Sequence, residues 1–288
     1  MKANQDRILV FGGPYSNLAA TLAMQQQAHR LGIPPHCTIC TGDLVAYCAE
    51  PRETVELIQD WGIQVVMGNC EESLAENRSD CGCGFTSGSA CALLADDWFP
   101  FASQHVTPAQ RDWMAKLPRS LRLWLHGYTV RIVHASPSSI NRFIFPSTPV
   151  EEKVRELRAA ECDILVGGHS GIPFGERLEN GYWLNSGVIG LPANDGTCDG
   201  WYMLLESAAA GLQVSWHRLR YDWRPSAQRM SEAQLRPGYR QALGNGLWPS
   251  MDILPAPERR LRGQPLAPQP MLIERSPGHA AVPGRHLT

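Results

Sequence analysis

Short apolar runs alternate with amphipathic stretches over the first two-thirds of the chain. Residues 8–11, 36–40 and 64–67 are predicted strands, and residues 17–31 and 52–61 carry apolar residues at helical spacing. This alternation is typical of crossovers between strands of a largely parallel sheet. Each strand runs into small or polar residues, at the edge where α/β sheets bind ligands.

The pattern changes after residue 120. Residues 121–125 and 128–133 predict a β-hairpin, and a helix over 150–159 and a strand over 164–166 follow. Further antiparallel strands, expected to close a second sheet, are predicted at residues 183–184, 202–205 and 213–216. Two sheets packed face to face with helices outside would give an α/β fold, a four-layer α/β/β/α sandwich with two mixed sheets.

The composition changes again near residue 221, where prolines and arginines become frequent. We therefore predict a main domain over residues 1–220 and an extension over 221–254 that packs on it. A helix is predicted over residues 231–243 within this extension. Residues 255–288 are too poor in apolar residues to hold a fold of their own and are predicted to be a flexible tail.

Charge and hydropathy exclude some partners. The 288 residues carry a formal charge of -2, so no field would concentrate nucleic acid or an anionic membrane surface. The apolar run at residues 8–11 is shorter than a signal-peptide core of roughly 7 to 15 residues, and we expect a cytoplasmic protein without a membrane span. Nine cysteines, an odd number, are expected to be reduced thiols.

Polar motifs follow the predicted strands in a fixed order. They are Gly42-Asp43, Gly68-Asn69-Cys70-Glu71, His134-Ala135-Ser136-Pro137 and Gly168-His169-Ser170-Gly171. This set resembles the signature of the calcineurin-like metallophosphoesterase superfamily, particularly its small bacterial and archaeal phosphoesterase branch. The flanking residues 16–18, 46–47 and 185–192 match as well, so the resemblance covers residues 7–206. It implies a four-layer sandwich with a two-metal, phosphate-hydrolysing centre.

The resemblance also indicates which metal ligands have been replaced. Gly13 and Tyr15 stand where the family has the Asp and His of its first metal, and Gly171 stands where it has the last His. The carboxylate that bridges the metals and the ligands of the second metal are kept, as Asp43, Asn69, His134 and His169. The resemblance therefore implies one metal position beside a neighbour that has lost its ligands.

A shell of one carboxylate, one amide oxygen and two imidazoles suits a divalent transition metal such as Zn, Fe, Mn or Ni. One such ion could polarise a phosphoryl oxygen and lower the pKa of bound water. It could not hold both the attacking and the leaving oxygen, as two ions about 3.5 to 4 Å apart do. The leading hypothesis is a metal-dependent phosphoesterase acting on a small phosphorylated substrate or a phosphoprotein.

Cysteines and one arginine complete the candidate site. Cys70 replaces the family's catalytic His and is predicted to be a substituted acid or a soft ligand. Cys48, Cys81 and Cys83 could supply additional thiolate ligands, for zinc or an iron-sulfur cluster, or could be ordinary buried thiols. Arg142 is a candidate for binding the substrate phosphate, or else a charge that faces solvent.

Two other functions are compatible with the sequence. The first is a metal- or iron-sulfur-binding protein that reuses the fold for sensing, binding or non-hydrolytic chemistry. The second is a scaffold without catalysis that binds partners through its tail. The sequence specifies neither the substrate nor the oligomeric state. Glu71 is expected to support its loop, and Trp248-Pro249 either to cap the cleft or to pack on the domain.

Overall fold

The computed structural model describes residues 7–274. Its strands are β1 (Arg7–Phe11), β2 (Thr38–Cys40), β3 (Gln64–Val65), β4 (Ser120–Leu125), β5 (Tyr128–Val133), β6 (Ile164–Gly167), β7 (Phe174–Leu178), β8 (Gly181–Asn185), β9 (Gly200–Ala208), β10 (Gly211–Leu219) and β11 (Met271–Glu274). Its helices are α1 (Leu18–Arg30), α2 (Pro51–Trp61), α3 (Asn69–Ala75), α4 (Ala90–His105), α5 (Pro108–Met114), α6 (Val150–Ala160), α7 (Arg224–Glu232), α8 (Pro237–Asn245) and α9 (Ala256–Arg260).

The strands form two sheets, in the orders β11-β10-β9-β1-β2-β3 and β4-β5-β6-β8-β7. Each sheet is mixed, because β1 is parallel to β2 but antiparallel to β9, and β6 is parallel to β8 but β7 is not. Phe11 in the first sheet and Ile132 in the second belong to one buried cluster, so the sheets share a core. On β8 and α6, Trp183 and Leu157 belong to a separate buried cluster.

The prediction of an α/β fold with two mixed sheets and packed helices is therefore confirmed, whereas the ordering into four layers stays a prediction. Among residues 7–274, no helix is both long enough and apolar enough to cross a membrane.

Two strands lie in a different sheet from the one predicted. β9 and β10 do not close the second sheet; β9 pairs antiparallel with β1, with Val10 opposite Met203 and Leu9 opposite Leu204. β10 extends the same sheet. The periodicity of a strand shows how it is buried but not which edge it joins, so the sequence pattern could not make this assignment.

The C-terminal part is more ordered than predicted. β11 pairs with β10, where Ile273 is fully buried opposite Leu212. On α9, Glu258 accepts hydrogen bonds from the Ser147 amide at 2.9 Å and the Ser147 hydroxyl at 2.6 Å. The prediction of a flexible tail is therefore wrong for residues 255–274. The few apolar residues of β11 are ordered because β10 is an edge strand with which they can pair. Residues 275–288 of that prediction lie outside the described residues.

The extension over residues 221–254 contacts the start of α1. The Asn17 side chain donates to the Tyr221 hydroxyl at 2.9 Å and accepts from the Ser226 hydroxyl at 2.8 Å. The predicted single helix over 231–243 is instead the end of α7 and most of α8, which begins at Pro237. Proline has no amide hydrogen and disfavours helical geometry in the preceding residue, so it ends one helix and begins another. The domain boundary at residue 220 stays a prediction.

Candidate metal centre

Four loops from both sheets bring the predicted ligands together. Asp43 follows β2, Asn69 is the first residue of α3, His134 follows β5 and His169 follows β6. All four side chains are buried. The loops pack so tightly that a Cβ atom on Gly42, which has φ of +97°, would lie 2.7 Å from the Gly68 amide nitrogen. Only glycine combines this backbone conformation with this close approach.

The donor atoms of these side chains converge. Nε2 of His134 lies 2.9 Å from Nδ1 of His169 and 3.0 Å from Oδ1 of Asn69. Oδ2 of Asp43 lies 3.3 Å from Nε2 of His134 and 3.6 Å from Nδ1 of His169. Asp43, His134 and His169 form a cluster that could hold a metal ion.

Neighbouring groups fix which atoms face this cluster. Nδ1–H of His134 donates to the carbonyl oxygen of Thr41 at 2.6 Å, which leaves the Nε2 lone pair of the neutral ring toward Asp43. The side-chain nitrogen Nδ2 of Asn69 donates to the carbonyl oxygen of Cys81 at 2.8 Å. This hydrogen bond turns the side-chain oxygen Oδ1 toward His134. Such supporting hydrogen bonds orient ligands in metal sites.

The charges within the cluster are strongly linked. Burial raises the pKa of Asp43, but the charge of His134 and hydrogen bonds to both imidazoles lower it more, so the pKa lies well below its ordinary value. Burial lowers the pKa of His134, and Asp43 with the Thr41 carbonyl raises it above its ordinary value. Burial also lowers the pKa of His169, and repulsion by His134 adds to that effect. The cluster therefore favours one positive charge near His134.

A divalent cation fits this set of donors. Ligand atoms about 2.0 to 2.2 Å from one ion lie roughly 2.8 to 3.6 Å apart at octahedral or tetrahedral angles, and the four spacings found here, 2.9 to 3.6 Å, agree with that. Carboxylate, amide and imidazole donors suit a divalent transition metal. An ion at this position would take the place of the proton near His134, because metal binding requires neutral imidazoles.

Glu71 joins two of the ligand loops. Its buried carboxylate accepts hydrogen bonds from the amides of Asp43 at 2.7 Å, Leu44 at 2.8 Å, Val45 at 3.4 Å and Gly68 at 3.0 Å. Burial and the charge of Asp43 raise the pKa of Glu71 to about 7, while these amides oppose the shift. Glu71 therefore supports its loop, as expected from the sequence, and it also holds the Asp43 backbone in place.

Aromatic rings lie beside the positions where the sequence resemblance implies missing ligands. A Cβ atom on Gly13 would lie 2.4 Å from the ring of Tyr15, so this ring covers the place from which the family's Asp would project. A Cβ atom on Gly171 would lie 3.5 Å from the ring of Trp248. The indole nitrogen of Trp248 donates to the carbonyl oxygen of Pro192 at 2.7 Å, which fixes this ring.

The same rings border a narrow cleft, with a cavity volume of about 40 Å³, that reaches His169. We call it the aromatic cleft, after six of its lining residues: Tyr15, Tyr47, Phe85, Phe143, Tyr239 and Trp248. Trp248-Pro249 therefore lines and narrows the cleft. His169 is the only one of the four ligands that borders it. A molecule that approaches the candidate centre through this cleft must pass between its aromatic side chains.

The structure places no cysteine in the candidate cluster of described residues, and the thiolate site stays a prediction. Cys81 and Cys83 are joined as a disulfide, and Cys48 is a buried thiol whose pKa burial raises strongly. Within the described residues, the cluster of candidate ligand atoms contains no cysteine. Cys83 is nevertheless close, since its sulfur lies 3.3 Å from the amide nitrogen of Asn69. The spacing of the cysteines along the chain indicated that they lie near Asn69, but it did not indicate that Cys81 and Cys83 pair with each other.

Cys70 lies beside the centre as a buried thiol. Burial raises its pKa, and the charges of Asp43 and Glu71 raise it further. Its side chain is 1% exposed and does not border the aromatic cleft. The catalytic role predicted for Cys70 stays a prediction, and a thiol in this state is a weak ligand and a weak acid.

Arg142 is not brought into the site. Its Nε lies 2.5 Å from a carboxylate oxygen of Glu152, and the Arg142 side chain is 43% exposed. The neighbouring Phe143 instead reaches the centre, where its ring stacks on His169 at 4.3 Å between centroids. Sequence reasoning missed Phe143, Tyr239 and the carbonyl of Thr41. The aromatic residue at position 15, in place of a ligand, was the available signal for the ring-lined site.

Comparison with known proteins agrees with the fold described above. No family model matches the chain. An uncharacterised protein of Methanocaldococcus jannaschii is 29% identical over 187 residues, which is 64% of this chain and 70% of that protein. The crystal structure of a hypothetical protein of Pyrococcus horikoshii matches with a TM-score of 0.71 and 17% identity over 84% of this chain and 99% of that one.

A metallophosphoesterase from Sphaerobacter thermophilus matches with a TM-score of 0.65 and 23% identity, again over 84% of this chain and 99% of that one. The fold of this chain is thus that of a metallophosphoesterase. The resemblance to the calcineurin-like metallophosphoesterase superfamily, indicated by the sequence motifs, is confirmed at the level of the fold.

Proposed function

We propose that this protein is a metal-dependent phosphoesterase, which hydrolyses a phosphate ester with one divalent transition metal held by Asp43, Asn69, His134 and His169. The observation that carries the proposal is the convergence of four donor atoms from loops far apart in the sequence. Nε2 of His134 lies 2.9 to 3.3 Å from the donor atoms of the other three residues, and those of Asp43 and His169 lie 3.6 Å apart.

Bound there, the ion would supply Lewis acidity toward a phosphoryl oxygen and toward a water molecule. The chain's own residues hold it. Asp43 contributes the negative charge, and Thr41 keeps His134 in the tautomer that can bind through Nε2. Glu71 fixes the loop of Asp43 through backbone amides. His169 lies between the other three ligands and the cleft. The aromatic rings that line the cleft exclude water from the reacting groups.

The substrate is proposed to be a small phosphorylated molecule or a phosphoprotein. The cleft that reaches His169 is narrow, with a cavity volume of about 40 Å³, and does not favour one of these over the other. The oxygen and nitrogen donors favour Zn, Fe, Mn or Ni. An iron-sulfur cluster would need thiolates that this arrangement of cysteines does not provide.

Metal content and hydrolysis test the proposal together. The wild-type protein, His169→Ala and the control His217→Ala are purified in parallel, and each is assayed with 4-nitrophenyl phosphate and bis(4-nitrophenyl) phosphate. His217 is a partly buried histidine on β10, outside the cluster, so its loss should leave both readouts unchanged. We expect wild-type and His217→Ala protein to bind metal and hydrolyse an ester, and His169→Ala to lose both.

Equal hydrolysis by the wild type and His169→Ala would contradict the proposal. Bound metal without any hydrolysis would instead favour the alternative in which the fold serves binding or sensing. A matched amount of metal in all three proteins would show that the ion lies elsewhere, because removal of one of four ligands weakens a site strongly.

A further inference from the structure

Strand β4 is an open edge of the second sheet. It has six residues, whereas the other edge strands, β3, β7 and β11, have two, five and four. Within residues 7–274, β4 pairs with β5 alone, and Ser120–Leu125 makes no other backbone hydrogen bond. An edge strand offers its unpaired N–H and C=O groups to another strand. β4 is therefore the edge to which a further strand can be added most readily.

β4 lacks the features that usually protect a sheet edge. Such edges are commonly interrupted by proline or a bulge, or carry several charged side chains. β4 has no proline, its register with β5 is continuous, and Arg122 is its one charged residue. The Arg122 guanidinium donates to the Ala160 carbonyl oxygen at 3.1 Å, so it is held over its own sheet. Trp124, on the same face of the strand, is 45% exposed.

The hairpin between β4 and β5 fixes which backbone groups face outward. His126 and Gly127 form a two-residue loop with positive φ at both positions, which is type I′ geometry. Such a loop closes on a hydrogen-bonded pair, here Leu125 with Tyr128, and hydrogen-bonded pairs then alternate along the ladder. The backbone groups of the three leucines of β4 therefore face β5. The residues whose amides and carbonyls face outward are Ser120, Arg122 and Trp124.

These outward groups are complementary to a second copy of the same strand. If two copies of β4 pair antiparallel about a two-fold axis at Leu123, Arg122 of each copy lies opposite Trp124 of the other. Each such pair exchanges two N–H···O hydrogen bonds, and the guanidinium faces the indole ring, a favourable cation–π contact. An axis at Arg122 would instead place two arginines opposite each other, which is destabilising. An axis at Trp124 would take the arginine away from the ring.

The core-facing side of β4 supports the same register. Leu121 and Leu123 are partly buried and pack on the core that the two sheets share. With the axis at Leu123, the two Leu123 side chains meet, and Leu121 of one copy lies opposite Leu125 of the other. The apolar surface that these leucines still expose is removed from water, which favours association. Pairing about a two-fold axis uses up both open edges, so the assembly closes as a dimer.

We propose that this protein forms a homodimer through β4, in which the second sheets of two copies join about an axis at Leu123. The inference does not depend on the hydrolytic function proposed above. His134 follows β5, the neighbour of β4, so the joined sheet would connect the two candidate metal centres. A seam of one strand from each copy is small beside a standard interface of about 1,200 to 2,000 Å², so we expect a dissociation constant of about 1 to 100 μM.

Two substitutions of Trp124 test the seam and its register. Sedimentation equilibrium of the full chain, up to about 200 μM, measures the dissociation constant. In Trp124→Lys the new cation faces Arg122 of the other copy, and the dissociation constant should rise at least about ten-fold. In Trp124→Glu the new anion pairs with Arg122, and the constant should stay within about three-fold of the wild type. Leu272→Lys is the control, since Leu272 is 42% exposed on the rival edge β11, and it should dimerise as the wild type does.

A cysteine placed at the axis locates the seam directly. Opposite Cα atoms in a non-hydrogen-bonded antiparallel pair are about 4.5 Å apart, within the range that a disulfide spans. Diamide, which accepts two electrons and two protons from two thiols, should therefore link Leu123→Cys into a covalent dimer. Leu121→Cys should not be linked, because its two copies lie roughly 14 Å apart. Wild-type protein treated in parallel accounts for the native cysteines, and circular dichroism verifies that each variant is folded.

A wild type that stays monomeric at about 200 μM would overturn the proposal. Equal weakening by Trp124→Lys and Trp124→Glu, or a stronger crosslink in Leu121→Cys than in Leu123→Cys, would overturn the register. Loss of the dimer in Leu272→Lys alone would place the seam at β11 and would also overturn the proposal. Hydrolysis is assayed separately: an active monomer would refute only the dimer, and a dimer without hydrolysis would refute only the phosphoesterase.

Discussion

Replacing Glu71 with glutamine should destabilise the protein far more than its small change in shape suggests. The Glu71 carboxylate is fully buried and accepts two amides on each oxygen, Asp43 and Gly68 on one and Leu44 and Val45 on the other. Glutamine can present only one acceptor oxygen. Whichever way its amide turns, an NH₂ group faces two backbone N–H donors, and two buried donors lose their acceptor.

The size of the effect follows from those two donors. A buried donor left without an acceptor costs about 1 to 3 kcal/mol, so two cost about 2 to 6 kcal/mol. Since a domain is stable by only about 5 to 15 kcal/mol, this loss is large. The neighbouring Glu72 is the control. Its side chain is 9% exposed, but its partners Arg78 and Arg119 are 44% and 58% exposed, and a glutamine oxygen can still accept from an arginine there. The loss is therefore mainly that of the ionic attraction, about 1 kcal/mol or less.

Urea unfolding of the wild type, Glu71→Gln and Glu72→Gln measures the difference. A chelator is present in all three experiments, so that metal binding to the folded state does not add to the stability. We expect Glu71→Gln to lower the free energy of unfolding by at least about 2 kcal/mol and Glu72→Gln by about 1 kcal/mol or less. Equal losses in the two variants would refute the role assigned to Glu71.

Two further pairs of substitutions test the packing around Gly171 and the C-terminal strand. Gly171→His should lower the melting temperature more than Gly32→His. Both glycines have positive φ, but only Gly171 faces the Trp248 ring, so equal losses would contradict this packing. Ile273→Ala should lower the free energy of unfolding by about 2 to 5 kcal/mol and Leu272→Ala, 42% exposed on the same strand, by about 0.5 kcal/mol or less. Indistinguishable urea midpoints for these two variants would mean that β11 does not pack on β10.

The four candidate ligands could be expected to lie close together because each one follows a strand. The carboxyl ends of β2 and β3 lie side by side in one sheet, and those of β5 and β6 lie side by side in the other. Polar residues at those ends therefore meet at a common edge once the sheets pack. The strands themselves were visible as short apolar runs, whereas the candidate ligand set was implied by the resemblance to the metallophosphoesterase signature.

The rings beside the metal position could not be predicted in the same way. Tyr239 and Trp248 reach the cleft from an extension more than 200 residues after Tyr15, and local periodicity contains no information about such distant packing. The β11 strand was missed for a similar reason. Its four residues are flanked by prolines and polar residues, and its pairing depends on an edge that β10 offers.

The cysteines show the limit of reasoning from spacing. Cys70, Cys81 and Cys83 do lie near Asn69, as the sequence suggested. Which side-chain atoms face the metal position depends on rotations that spacing does not determine. In the structure, the amide of Asn69 is directed at the cysteines through its nitrogen and at His134 through its oxygen.

X-ray absorption at the metal edge, on protein freshly isolated with its ion, tests the central claim most directly. We predict one ion per chain, surrounded by oxygen and nitrogen atoms at about 2.0 to 2.2 Å with the outer-shell scattering of two imidazoles. Sulfur at about 2.3 Å, or a second metal about 3.5 to 4 Å away, would contradict a centre built from Asp43, Asn69, His134 and His169 alone.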